Sequence, residues 1–82
     1  LKSTRVEIKE DPIELKPGEY GKWNGHWWVY PPKEDAGPIP ITGYKPEWEV
    51  VENADGTITV SPSINVVGRW HGFLTNGEWI TC

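Results

Sequence analysis

The stretch Tyr20-Gly21-Lys22-Trp23-Asn24-Gly25-His26-Trp27-Trp28-Val29-Tyr30 sets two aromatic runs on either side of an Asn-Gly pair. Asn-Gly accepts the positive φ values of a type I′ turn, whose twist matches that of the strands it joins, so this stretch predicts a β-hairpin. Successive side chains of a strand point to opposite faces. Trp27 and Val29 therefore share one face, which reads as core, and Trp28 and Tyr30 share the other.

Working outward, Trp48-Glu49-Val50-Val51-Glu52 and Thr57-Ile58-Thr59-Val60 flank Asn53-Ala54-Asp55-Gly56, with β-branched residues in both arms. A third hairpin pairs Arg69 to Leu74 with Glu78 to Thr81 across Thr75-Asn76-Gly77. Upstream, Arg5-Val6-Glu7-Ile8-Lys9 alternates as a half-buried strand does; Asp11-Pro12 breaks it, and Ile13 and Leu15 resume the alternation. Eight Pro and nine Gly leave no window of about 12 residues with helical apolar spacing. Pro31 to Pro46 holds five of the prolines and reads as an ordered, irregular surface loop of the kind that often binds ligands. The expected fold is all-β, a small antiparallel barrel or curled sheet of about six or seven short strands.

A chain of 82 residues builds one core, so residues 1–82 are read as a single domain. The single Cys82 allows neither an intramolecular disulfide nor a Cys-based zinc site, and stability must come from packing. Six Trp, three Tyr and one Phe supply it, each ring burying roughly 150–250 Å². Open sheet edges and many rings make a homodimer an expected state. A net charge of −4 without any Lys/Arg block disfavours duplex DNA and anionic lipid. No apolar run approaches the roughly 18 residues of a membrane span, and no signal-peptide pattern is present. The start at Leu1, without Met, reads as a processed or truncated one.

His26 and His71 each stand beside a Trp in a predicted strand. A metal site needs three or four converging ligands, and no such spacing is present, so no metal or cofactor is expected. Ser61 and Ser63 flank Pro62 without a Gly-x-Ser-x-Gly elbow, which proposes no triad. The pairs Glu47 with Glu49 and Glu34 with Asp35 read as solvated surface charge. On these grounds no residue is assigned to catalysis, and a non-enzyme is expected. The informative set is aromatic: Trp28, Tyr30 and Tyr44 as an exposed platform, with Trp48, His26, Trp70 and His71 completing the expected binding residues.

Residues 57–82 contain Thr57-Ile58-Thr59-Val60-Ser61-Pro62-Ser63-Ile64-Asn65-Val66, then Trp70-His71-Gly72-Phe73-Leu74-Thr75-Asn76-Gly77-Glu78-Trp79. This third of the chain resembles a family of small uncharacterised bacteriophage proteins, some carrying the name ammonia monooxygenase, that share Ser-Pro-Ser-Ile and His-Gly-Phe-x-x-(Asn/Asp)-Gly. Many members carry Cys near these motifs, suited to a metal site with the His; here the region has Val66, Gly68 and Trp70 instead. Dioxygen chemistry needs a copper, iron or flavin centre, and no ligand set for one is present. The resemblance implies a phage-type accessory protein in the host cytoplasm. The leading expectation is thus a non-enzymatic module that binds a host or phage protein, inhibition of a host-defence protein being one form of it. The alternatives are a carbohydrate or nucleotide binder stacking its ligand on Trp28, Tyr30 or Trp48, and an enzyme using His71.

Overall fold

Asn24 and Gly25 have φ of 51° and 80°, and Asn76 and Gly77 have 48° and 75°, the paired left-handed values that a type I′ turn requires. In the computed structural model, which describes residues 1–82, each pair is the whole of a two-residue hairpin loop. The first joins β2 (Glu19–Trp23) to β3 (His26–Val29), and the second joins β7 (Trp70–Thr75) to β8 (Glu78–Thr81). Four further strands complete the fold: β1 (Thr4–Arg5), β4 (Ile39–Pro40), β5 (Glu49–Glu52) and β6 (Ile58–Val66).

The eight strands form two four-stranded sheets, in the orders β1-β2-β3-β4 and β5-β6-β7-β8. The fold is all-β, with one strand more than the upper expectation. The sheets do not close into a barrel: the first ends in two-residue strands on both edges, and the chain passes from β4 to β5 without a ladder between them. Nor is the pairing wholly antiparallel, because β1 runs parallel to β2 with Thr4 opposite Glu19.

The alternation over residues 5–9 has a cause other than a long strand. Only Thr4–Arg5 forms β1; Val6 N donates once more to the Tyr20 carbonyl at 2.9 Å, and Ile8, 7% exposed, lies over Gly21. A Cβ on Gly21 would stand 2.5 Å from the Val6 carbonyl oxygen and 3.1 Å from Ile8 Cγ1. Residues Pro12–Glu14 form a 3₁₀ turn, not a strand. Asp11 caps it by accepting from Ile13 N, and Glu14 accepts in return from Asp11 N, a reciprocal capping box.

Both sheets turn one face to a common core. Tyr20, Trp27, Val29 and Ile41 meet Ile58, Val60, Ile64, Trp70, Leu74 and Trp79 there. Polar groups that enter are paired, as burial requires: Trp79 Nε1 donates to the Gly18 carbonyl at 3.0 Å and Tyr20 OH to that of Gly56 at 3.2 Å. Burial pushes the Tyr20 hydroxyl above its ordinary pKa. The loop from Pro31 to Pro46 contains a 3₁₀ turn at Glu34–Ala36 and strand β4, and Arg69 donates to the Asp35 carbonyl at its base. No helix is long and apolar enough to cross a membrane.

Candidate active site

Between Val60↔Leu74 and Ile64↔Gly72 the β6–β7 ladder loses its register, so Ser61, Pro62 and Ser63 together face Phe73 alone. Extra residues on one strand bend it and re-aim its side chains. Beyond the bulge Ile64 returns to the core, fully buried, and its neighbours Ser63 and Asn65 turn outward. On β7 the same alternation buries Trp70, Gly72 and Leu74 and puts His71 and Phe73 outside. The outer face therefore gathers Ser63, Asn65 and His71, and the Ser63 Oγ lies 3.1 Å from His71 Nε2. That is hydrogen-bonding reach for a nucleophile and its base.

One side chain anchors this pair, and another stands across the ladder from it. The Trp48 indole Nε1 donates to the Ser63 carbonyl at 3.0 Å, tying the bulge to the residue that precedes β5. Asn65 stands opposite His71 in the ladder. The His71 carbonyl accepts from Cys82 N at 3.0 Å, so the His71 backbone groups point toward β8 and away from β6. Asn65 and His71 thus form a non-hydrogen-bonded pair, the closer kind, with Cα atoms about 4.5 Å apart. A second consequence concerns Asn65 itself, whose N–H and C=O point to the opposite edge of β6. The last rung from β5 is Glu49↔Ser61, so β5 does not cover them.

The residues expected to bind do not form a single site. Trp28 meets Tyr44 at 6.4 Å and Trp23 at 6.5 Å, both edge to face, forming an outer aromatic cluster on the first sheet. Tyr30 is held back from it, its hydroxyl donating to the Glu34 carbonyl. His26 packs against Gly43, where a Cβ would lie 2.7 Å from the ring. Trp48 serves the Ser63 bulge. Trp70 is a correction: at 6% exposure it is a core ring, 5.4 Å from Trp79 and perpendicular to it, with no surface for a ligand. His26 and His71 stand in different sheets, so the two Asn-Gly hairpins do not combine them into one patch. No group of three or more His, Cys, Asp or Glu is placed to hold a metal ion.

Ser63 and Asn65 escaped the sequence reading because Ser-Pro-Ser does not resemble the elbow of an α/β hydrolase. A usable signal was present in Val67-Gly68-Arg69. Gly68, at φ 76°, closes a third tight hairpin between β6 and β7, and counting back from it puts Asn65 opposite His71.

Residues 18–82 match the sequence model of a family described as the bacterial ubiquitination-like system serine protease, BubE. The chain belongs to the BubE family. The match spans every strand from β2 to β8, including Ser63, Asn65 and His71. No curated protein and no solved structure matches the chain. The expectation of a non-enzyme is overturned, since the BubE family is described as a serine protease. The physical reason for the error lies in the bulge, which brings a serine and a histidine eight positions apart into contact without any local motif.

Proposed function

We propose that this BubE-family chain is a serine peptidase of a bacterial ubiquitination-like system, with Ser63 as nucleophile and His71 as general base. The carrying observation is the 3.1 Å approach of Ser63 Oγ to His71 Nε2, within a family described as a serine protease.

Ser63 Oγ attacks the carbonyl carbon of the scissile amide while His71 Nε2 takes the hydroxyl proton. The tetrahedral intermediate collapses as His71 returns that proton to the amine; the C–N bond breaks and an ester to Ser63 remains. Water, deprotonated by His71, hydrolyses the ester and restores the hydroxyl. This sequence needs a neutral imidazole with its proton on Nδ1. Asn65, across the ladder, supplies a side-chain carbonyl suited to accept from that N–H, as Asn does in Cys-His-Asn proteases. Both Ser63 and His71 lie on an outer face, so water must be excluded by the substrate itself. A folded protein partner can cover that face, which favours protein over small-ester substrates.

The test is labelling with a biotinylated fluorophosphonate, read by intact mass and peptide mapping. One adduct on Ser63 is expected, absent from Ser63→Ala, diminished in His71→Ala and retained in Ser61→Ala. An adduct of equal yield in Ser63→Ala would overturn the assignment.

A further inference from the structure

Beside Trp48, just before β5 begins, a cleft of about 350 Å³ opens against Asn65 and Val66 of β6. Its lining is mainly apolar and includes Ile39, Tyr44, Trp48 and Val66, with Asn65 among its polar members and Lys45 as its charged one. Two of these residues join it to the site above: Asn65 faces His71, and the Trp48 ring that lines the cleft also holds the Ser63 carbonyl. At the small end of the range for ligand pockets, roughly 300–1,000 Å³, it suits one large side chain.

The edge of β6 gives the rest of the occupant. Asn65 directs its backbone N–H and C=O away from β7, and β5 does not reach them. A free pair of this kind is where an extended peptide adds as a further strand, with backbone bonds giving affinity and pockets for alternate side chains giving selectivity. Asn65 lies two residues from Ser63, about 6.6 Å along a strand. A peptide paired at Asn65 therefore comes within two residues of the nucleophile, up to the Trp48 ring that occupies the edge at Ser63.

We infer that this cleft is the specificity pocket of the peptidase: the substrate binds as an extended strand on the β6 edge and buries a large apolar side chain, Leu or Phe, between Trp48, Tyr44 and Val66. The inference rests on the peptidase reading for the direction of catalysis. Lys45 at the cleft sets the complementary rule, that a Lys or Arg side chain at the same position is rejected.

The experiment uses Ser63→Ala as a non-cleaving form of the full chain, titrated with extended peptides that differ only in having Leu, Gly or Lys at one position. Amide and methyl NMR shifts of Asn65 and Val66 report occupancy. The Leu peptide is expected to bind at least about tenfold more tightly than the Gly peptide, the scale of apolar-pocket discrimination, and to shift the Asn65 N–H. Lys45→Glu should narrow the gap between Lys and Leu, and Tyr44→Ala, at an exposed position and with an intact fold checked by circular dichroism, should weaken Leu binding alone. Equal binding of the three peptides, or shifts confined to residues away from β6, would overturn the inference. Fluorophosphonate labelling of the native chain decides the peptidase reading separately, so the two can fail independently.

Discussion

Asn65 stands opposite His71 in the β6–β7 ladder, and the His71 carbonyl turns away from β6 to accept from Cys82 N, which makes the two a non-hydrogen-bonded pair, the kind that sets side chains closer together. Asn65→Ala is expected to lower kcat on a protein substrate by up to about 100-fold through misplacement of the imidazole, while KM changes less. Asn65→Asp should keep activity and move the acid limb of the pH–rate profile to higher pH, because a carboxylate favours the protonated ring. His71→Ala should cost about 10²–10⁴-fold, the usual worth of a general base. An Asn65→Ala enzyme with unchanged kcat and pH profile would remove Asn65 from this role.

The Trp48 bond to the Ser63 carbonyl is separable from the ring that bears it. Trp48→Phe keeps the aromatic wall and deletes the donor, worth about 1 kcal/mol net. Circular dichroism should report an intact fold while fluorophosphonate labelling slows, since the bulge loses its anchor. Labelling at the native rate would show that β6 holds Ser63 unaided.

Gly72 lies under the site, between Ile80 and Trp70. A Cβ there would come within 2.3 Å of the Ile80 carbonyl oxygen and 2.6 Å of the Trp70 ring, neither of which can yield without moving strand or core. Gly72→Ala should therefore destabilise by about 1–3 kcal/mol or more. In a domain of this size each kcal/mol lowers Tm by about 4–8 °C. Calorimetry of the variant at neutral pH measures it.

Acid acts elsewhere. The Glu14 carboxylate accepts from the N–H groups of Glu10 (2.7 Å), Lys9 (3.2 Å) and Asp11 (3.1 Å), and these bonds, the Glu10 N–H foremost, hold its pKa below the ordinary carboxylate value. A lowered folded-state pKa gives a contribution present above the unfolded value and lost as pH falls through the folded one. Residues 9–14 should loosen below the usual carboxylate range while the sheets persist, seen as faster amide exchange at Lys9, Glu10 and Asp11 relative to Val60. Glu14→Gln should show the same loosening at neutral pH. Uniform exchange across the chain would contradict this local effect.

The hairpins were legible because Asn-Gly acts through two adjacent residues: φ at Asn24 and Gly25 depends on their own sterics, and the strands follow. The burial of Trp27 and Val29 followed from simple alternation. Val6 and Ile8 alternate as well, yet Val6 N still pairs with the Tyr20 carbonyl while Ile8 lies over Gly21 without a ladder, and alternation reports burial without saying where backbone pairing stops. The Asp11-Pro12-Ile13-Glu14 cap is written plainly in residue types, and it competes there with the strand-like alternation of Ile13 and Leu15. Ser63 and His71 were hidden for a different reason. Their contact depends on where one ladder slips, and a slip is settled by the packing of Val60 and Ile64 into a shared core, which no local pattern records.

The Pro-rich loop carries a consequence for how such a protein changes over time. Ser63, Asn65 and His71 all belong to one hairpin, whereas Ile39 and Tyr44 of the cleft lining come from a segment that gives nothing to bond cleavage. Drift in that segment can retune which sequences are cut while the cutting apparatus stays under its own, separate selection. A lineage could thus track a changing target by editing about one fifth of its length, an evolutionary economy that follows from a cleft lining of mixed origin.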